Sequence, residues 1–390
     1  MRFAIVGPAA PFRGGIALHT RAIERALADH HEVVVHPFAR LYPRLLFPGT
    51  SQLAPESRAA AGERSASGAR GQSAVALDPY RPRSWGRVAL AIAEQDPDLV
   101  LLQWWHPWFA LPTASLLRRC ARALNGSSRL ALWCHNVYPH GSVPLQELMA
   151  RLVLRRAGRI VVHAQCESER ARALAPEVTR HVLPMPCMSS GPAPSMAAAR
   201  AELGLAAGRW LLFFGFVRAY KGLRDLLAAL AAIEDPDLRL LVVGEFYESE
   251  SSYRELIDRL GLSERVRIVN RYVAEAEVPA YFAAADAVIL PYRTATQSSV
   301  LAQALAWRRP VVVTDSGGLA EAAPGVAVVV PACDPGGLAR GIRAVLADPP
   351  SAAGAFAAAA ARTSSEELRR GIESIAACAE RASAEVPSLG

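Results

Sequence analysis

The chain has 390 residues, 52% of them hydrophobic and 20% charged; that is long enough for two domains with a core each, and it excludes a disordered composition. Its formal charge of +7 is uneven: the first 190 residues carry 23 Arg and 13 acidic side chains, net +10, and the rest carry 20 basic and 23 acidic ones, net −3. No run of 18 apolar residues occurs, and Met1–Gly7 leads straight into a strand, so neither a transmembrane helix nor a secretory leader is expected.

The basic first half is expected to meet something anionic, either a membrane surface or a phosphorylated acceptor. Its arginines are spread out and accompany no recognition motif, which argues against nucleic acid. Six scattered cysteines without a C-x-x-C pair fit reduced thiols, and hence a cytoplasmic protein, peripheral at most at the inner membrane face.

In chain order, Phe3–Val6 reads as a strand, Ile16–Ala28 as a helix with its apolar face at helical spacing, and Glu32–His36 as a second strand. A strand, a glycine loop and a helix resemble the opening of a doubly wound sheet. Gly14 and Gly15 close the loop between them. They do not form a G-x-G-x-x-G fingerprint, so they serve either close backbone approach to a substrate or a plain tight turn. Residues 48–83 lose all periodicity and are expected to form an exposed, partly disordered excursion. Regularity returns with a helix at Trp85–Gln95 and a buried strand at Leu99–Leu102. Trp105 and His106 follow that strand. Ligands of open sheets lie beyond the carboxyl ends of strands, so these side chains either line a sugar or acceptor groove or pack helices.

Pro112–Leu124 is a basic amphipathic helix, and the strand Leu130–Cys134 ends in His135-Asn136-Val137-Tyr138-Pro139-His140. A metal site there would want a third ligand at helical or hairpin spacing, and none is present. Hydrogen bonding of His135 and Asn136 to a substrate hydroxyl or phosphate fits better. Leu145–Ala157 is a second basic amphipathic helix, lying on anionic headgroups or presenting a solvated face. Strands at Arg159–His163 and Val182–Pro186 complete a first domain over residues 1–188, and residues 189–205 read as a linker.

The second domain, residues 206–362, alternates strands at Trp210–Phe214, Leu238–Val243, Val266–Asn270, Ala287–Leu290, Val311–Thr314 and Val326–Val330 with intervening helices, a pattern that demands a parallel sheet. A final helix over 363–390 is expected to return to the first domain. Of the 43 basic residues, 42 are Arg and one is Lys, at position 221. Arg218 and Lys221 stand in the turn that follows Gly215, ahead of a helix whose unpaired N–H groups favour anions. A compact ammonium on a flexible stem suits a phosphate oxygen there.

Several motifs now converge. Gly215 through Arg218 to Lys221-Gly222 resembles the G-x-x-x-x-x-K-G element of the GT-B glycosyltransferases, in particular the large retaining family four (glycosyl transferases group 1). Ala285-Asp286 through Pro291-Tyr292 resembles the A-D-x-x-x-x-P-S/Y strand of that family. Gln303-Ala304-Leu305-Ala306 through Pro310–Thr314 resembles its E-A-M-A-x-G-x-P-V-V-A-T, and Gly317-Gly318-Leu319-Ala320-Glu321 its G-G-x-x-E. Gly14-Gly15 and His135-Asn136 look like its acceptor-side and sugar-side elements.

The resemblance implies two Rossmann-like α/β domains facing a central cleft, and transfer of a sugar from a nucleotide-sugar donor to a glycan, lipid-linked or small-molecule acceptor. It implies no cofactor beyond the donor. No metal is expected, because two cations and a helix N-terminus can neutralise the leaving diphosphate and no Asp-x-Asp clamp ends a strand of the second domain. Arg218, Lys221 and His135 are the expected catalytic residues. Gly215, Thr296, Gln297, Ser298, Ser299 and Gln303 are expected on the donor side, with Glu245 and Tyr272 near the base. Gly14, Gly15, Trp105, His106 and Asn136 are expected on the acceptor and sugar side. One departure stands out: the two glutamates usual in the family fall at Ala295 and Gln303. A carboxamide still serves ribose hydroxyls; the missing first carboxylate leaves open a non-catalytic nucleotide-binding relative or, as a further alternative, a nucleotide-sugar epimerase.

Overall fold

A computed structural model describes residues 1–42, 51–53, 73–138, 144–188, 193–348 and 353–384. They divide into two compact units, Met1–Pro186 with the stretch from Ser365 onward, and Cys187–Ser364.

The first unit is built from β1 (Arg2–Gly7), α1 (Gly15–Ala28), β2 (Glu32–Pro37), α2 (Pro82–Gln95), β3 (Leu99–Trp104), α3 (Ala110–Ala123), β4 (Leu130–Cys134), α4 (Gln146–Leu154), β5 (Arg159–Val162), α5 (Gln165–Leu174) and β6 (Thr179–Val182). All strands are parallel, in the order β2-β1-β3-β4-β5-β6. Both faces of the sheet are covered, so the inner strands β3 and β4 read as near-continuous apolar runs, whereas the edge strand β6 is polar and half exposed and lies at Thr179–Val182, ahead of the expected Val182–Pro186. The strand side chains still sort by parity. Ala4, Val6, Val100, Leu102, Leu130 and Leu132 join one core with α2 and α3. Phe3, Ile5, Leu99, Leu101, Ala131 and Trp133 join another with α1. The helix Ser365–Ala384 completes that second core through Leu368, Ile372, Ile375 and Ala379, and Glu373 reaches His31 at 2.7 Å.

Part of the expected 48–83 excursion is ordered. Ser73 N donates to Val35 O, Leu77 bridges Phe38, and the Leu77 side chain is buried in the core. Val75 packs against the same core, so the segment is held along β2 by backbone pairing and by these two side chains. The remainder of the excursion within 43–50 and 54–72 lies outside the described residues, as do Pro139 and His140.

The second unit opens with α6 (Met196–Glu202), a helix inside the expected linker, which packs Ala199 on Ala283 and Ala284. Ser195 caps it, its Oγ accepting from Ala198 N at 3.2 Å. There follow β7 (Arg209–Phe214), α7 (Leu223–Ala231), β8 (Leu238–Val243), α8 (Glu250–Arg259), β9 (Val266–Val269), α9 (Val278–Ala284), β10 (Ala287–Leu290), α10 (Ser299–Ala306), β11 (Val311–Thr314), α11 (Leu319–Ala322), β12 (Ala327–Val330), α12 (Pro335–Ala347) and α13 (Ala353–Arg362). The parallel sheet runs β12-β11-β10-β7-β8-β9.

Chain order explains where a ligand can sit. In the second unit β7, β8 and β9 are laid down outward to one side, and the chain then returns to place β10 on the other side of β7. The loops after β7 and β10 therefore diverge at the carboxyl edge, and open α/β sheets bind ligands at such switch points. In the first unit the same reversal separates the loop after β1 from the loop after β3.

Candidate functional site

At the second unit's switch point β7 ends in Gly215, whose φ of +95° is a conformation that favours glycine. The position also needs the missing side chain: a Cβ there would lie 2.8 Å from Lys221 Nζ. Lys221 closes a short 3-10 turn (Ala219–Lys221), and Gly222, at φ +70°, starts α7 with its Cα packed so tightly on the end of β10 that a Cβ would fall 1.9 Å from Pro291 O. The turn thus lays the lysine stem between the ends of β7 and β10.

Lys221 is buried, with Nζ 5.4 Å from the centroid of the Tyr292 ring. Burial, and secondly the neighbouring Arg218 charge, pushes its ammonium down to about 7. The Arg218 guanidinium lies 4.5 Å over the Tyr247 ring. Neither cation forms an ion pair among the described residues. The nearby Arg293, by contrast, is committed, with two hydrogen bonds of 2.8 Å to Asp225. An uncompensated buried cation costs free energy, and a site built to receive an anion is where that cost is recovered.

The β10 loop brings the second element. Ser298 caps α10, its Oγ accepting from Leu301 N at 3.2 Å, and it is hydrogen-bonded to Tyr292, the ring beneath Lys221. Thr296, Ser298 and Gln303 are buried, and Gln297 holds a buried carboxamide oxygen with no hydrogen-bond partner. Ser299 is the first helical residue; with Leu301 N taken by Ser298 Oγ and Ala302 N by Ser298 O, the amides of Ser299 and Val300 are the donors the helix start leaves for a ligand. Glu245 is buried after β8, and its carbonyl accepts from Val217 N, which ties that loop to the one carrying Arg218. Tyr272 follows β9. Its ring stands 6.4 Å from Phe216, which in turn lies 4.8 Å from Tyr247. Sequence reasoning missed Phe216 as a companion of Arg218; its position beyond β7 is the signal that would have found it.

In the first unit Gly14 has φ +105° and caps α1, whereas a Cβ on Gly14 or Gly15 would meet nothing within 4 Å. Backbone conformation explains Gly14; no internal contact explains Gly15. Trp105, expected to line a groove, is a core residue. Its Nε1 donates to Tyr42 Oη at 2.9 Å, and its ring packs 4.6 Å from Phe109. The exposed tryptophan is Trp108. His106 caps the short turn Pro107–Phe109, Nδ1 accepting from Trp108 N, and burial lowers its pKa. Asn136 Nδ2 donates to Trp105 O at 3.3 Å. His135, expected to face a sugar, is 1% exposed, and both ring nitrogens are engaged by Gln103 and His163. Strand parity turns it inward with Trp133, so it does not reach a ligand by direct contact in this conformation.

Comparison with known proteins agrees with this architecture. Residues 208–348, within the second unit, match the family model of the glycosyl transferases group 1. The chain is 33% identical over 265 residues to D-inositol 3-phosphate glycosyltransferase 1 of Catenulispora acidiphila, covering 63% of each protein. It is 33% identical over 103 residues to the GDP-mannose:glycolipid 4-beta-D-mannosyltransferase of Xanthomonas campestris pv. campestris, covering 26% of this chain and 29% of that one. The chain therefore spans less than two thirds of the length of these relatives. Among solved structures, Anabaena HepE in complex with UDP superposes with a TM-score of 0.71 at 18% identity, covering 96% of this chain and 99% of that one. The two Rossmann-like units thus have the GT-B fold.

Proposed function

We propose that the protein is a glycosyltransferase that moves a sugar from a nucleotide-sugar donor to an acceptor, with retention and without a metal in the reaction. The observation that carries this is the pair Lys221 and Arg218: two cations without carboxylate partners among the described residues, at a switch point, in the stretch that matches the group 1 family model. Breaking the anomeric C–O bond leaves a nucleoside diphosphate with new negative charge. Lys221, Arg218 and the amides at the start of α10 meet that charge, the largest kind of catalytic contribution. Thr296 and Ser298 add hydroxyls, Gln303 serves the ribose, and Phe216, Tyr247 and Tyr272 offer faces to the base, with Glu245 beside them. HepE, which has the same fold, has been solved with UDP and with UDP-glucose, which supports a donor of this class.

The acceptor side is assigned to the first unit. Gly14, Gly15, His106 and Asn136 lie at the carboxyl edge of its sheet, and His135, buried at the same edge, supports them without touching substrate. Trp108, Leu111, Leu145 and Leu148 are exposed apolar side chains on the adjacent α3 and α4 and the turns before them, close in sequence to the exposed Arg118, Arg119 and Arg122. That chemistry suits a lipid-linked acceptor or a glycan presented at an anionic inner-membrane surface. No helix among the described residues is long and apolar enough to cross a membrane.

A panel of UDP-, GDP-, ADP- and dTDP-sugars tests the reading. Release of nucleoside diphosphate from at least one donor, dependent on an acceptor, supports it. Donor interconversion without acceptor would make the protein an epimerase. Nucleotide binding without turnover would fit the replacement of the usual glutamates by Ala295 and Gln303 and make it a non-catalytic relative. Absence of binding to every donor rejects all three.

A further inference from the structure

We propose that His19, His135 and His163 form a three-imidazole site for a divalent transition-metal ion of the zinc class, buried in the first unit. The argument begins with strand parity. Leu99 and Leu101 of β3, Ala131 and Trp133 of β4, and Val161 of β5 share the core that faces α1. The next residues of the same parity are Gln103, His135 and His163, and α1 supplies His19 from above. One ring nitrogen from each of the three histidines lies within 4.8 Å of the other two.

Their hydrogen bonds fix which nitrogens are left over. His163 Nδ1 stands 3.0 Å from Leu183 O, an acceptor only, so that nitrogen carries the proton. Gln103 Oε1 lies 2.5 Å from His135 Nε2 and 3.3 Å from His19 Nδ1, and accepts from both. The remaining lone pairs are on His19 Nε2 and His135 Nδ1, and on His163 Nε2, which also accepts the indole N–H of Trp133 at 3.1 Å. His19 Nε2 is buried without a hydrogen-bond partner. His135 Nδ1 and His163 Nε2 face each other at 3.3 Å, which is the nitrogen–nitrogen edge of a tetrahedron with metal–nitrogen distances of about 2.0–2.1 Å.

The surrounding shell matches as well. Metal-binding imidazoles donate their second N–H to a carbonyl or similar acceptor, which fixes tautomer and orientation; Gln103 does this for two rings and the Leu183 carbonyl for the third. Burial keeps all three rings neutral, the ligating form. The indole N–H of Trp133 donates to His163 Nε2 at 3.1 Å; an ion taking that lone pair replaces this bond beside the ring, so tryptophan fluorescence is the readout of the event. The ion ties α1 to the ends of β4 and β5, beneath the loops bearing Gly14 and Asn136. Its role is to brace that edge, separate from the diphosphate chemistry of the second unit.

The test uses the full-length protein, treated with chelator and then titrated with zinc or with cobalt(II) as a coloured probe. One equivalent of zinc should bind, quench tryptophan fluorescence and raise Tm reversibly on addition of EDTA, and cobalt should give the intense visible bands of a tetrahedral site. His19→Gln and His163→Gln should each weaken binding at least about tenfold, and Gln103→Leu by about 10–100-fold, while His30→Gln on the surface changes nothing. Should a variant fail to fold, the cobalt spectrum of the wild-type chain decides alone. Binding below one equivalent, an octahedral cobalt spectrum, or full affinity in a folded His19→Gln protein overturns the proposal.

Discussion

Lys221 Nζ sits 5.4 Å from the centre of the Tyr292 ring and has no carboxylate partner among the described residues. Lys221→Ala should therefore lose diphosphate affinity and lower kcat about 10²–10³-fold, as does loss of a group that stabilises the leaving charge. Lys221→Arg should not rescue it, because the space beside Gly215 admits an ammonium and not a planar fork. Steady-state kinetics with the active donor decides; wild-type turnover in Lys221→Arg would refute the assignment.

Lys221 also predicts a pH dependence. With its folded-state value pushed down to about 7, the amine is protonated before the ligand arrives below that pH. Above it, binding has to be accompanied by proton uptake. Affinity for a nucleoside diphosphate should fall as pH rises from about 7 to 9, by up to about tenfold per unit, and Lys221→Ala should abolish the slope. Calorimetry in buffers of different ionisation enthalpy measures the proton directly.

Gly222→Ala tests the backbone. A Cβ would meet Pro291 O at 1.9 Å, and φ is +70°. The left-handed conformation alone costs an alanine about 1–2 kcal/mol, and the clash adds to it. Urea unfolding of the variant should show a loss of at least that size, with nucleotide binding impaired in whatever remains folded.

The exposed apolar side chains of the first unit give a separable prediction. Replacing Trp108, Leu111 and Leu148 together by Ser should leave Tm almost unchanged, since all three are exposed. The same change should abolish salt-sensitive co-sedimentation with anionic vesicles. Binding that survives the triple change would remove the membrane from the account.

Much of this fold was legible in the sequence. The apolar runs at Leu238–Val243, Ala287–Leu290 and Val311–Thr314 are strands with those bounds, because strands covered on both faces are apolar along nearly their whole length, Arg239 and Thr314 being the exceptions. The glycine turn around Lys221 was legible for the same local reason. What escaped was non-local. Nothing near His135 announces His19 or His163, which only the folding of α1 over β4 and β5 brings to it, so a search for ligands at helical or hairpin spacing found none. Trp105, expected on the acceptor side, packs in the core instead, because the turn after β3 directs its ring into Phe38 and Phe109 and leaves Trp108 as the exposed ring. Gln165–Leu174 and Met196–Glu202 are helices with few large apolar residues, and packing rather than pattern makes them so.

The chain leaves its first unit after Pro186 and rejoins it at Ser365, with Cys187 N donating to Thr363 O at 2.9 Å where the excursion begins and ends. A ribosome must therefore finish the whole second unit before the first receives the helix that seals Phe3, Ile23, Leu27 and Trp133 from water. During synthesis the earlier half waits with an oily flank bare while the later half matures as an uninterrupted stretch. Premature termination near residue 364 would thus damage the part of the protein translated first.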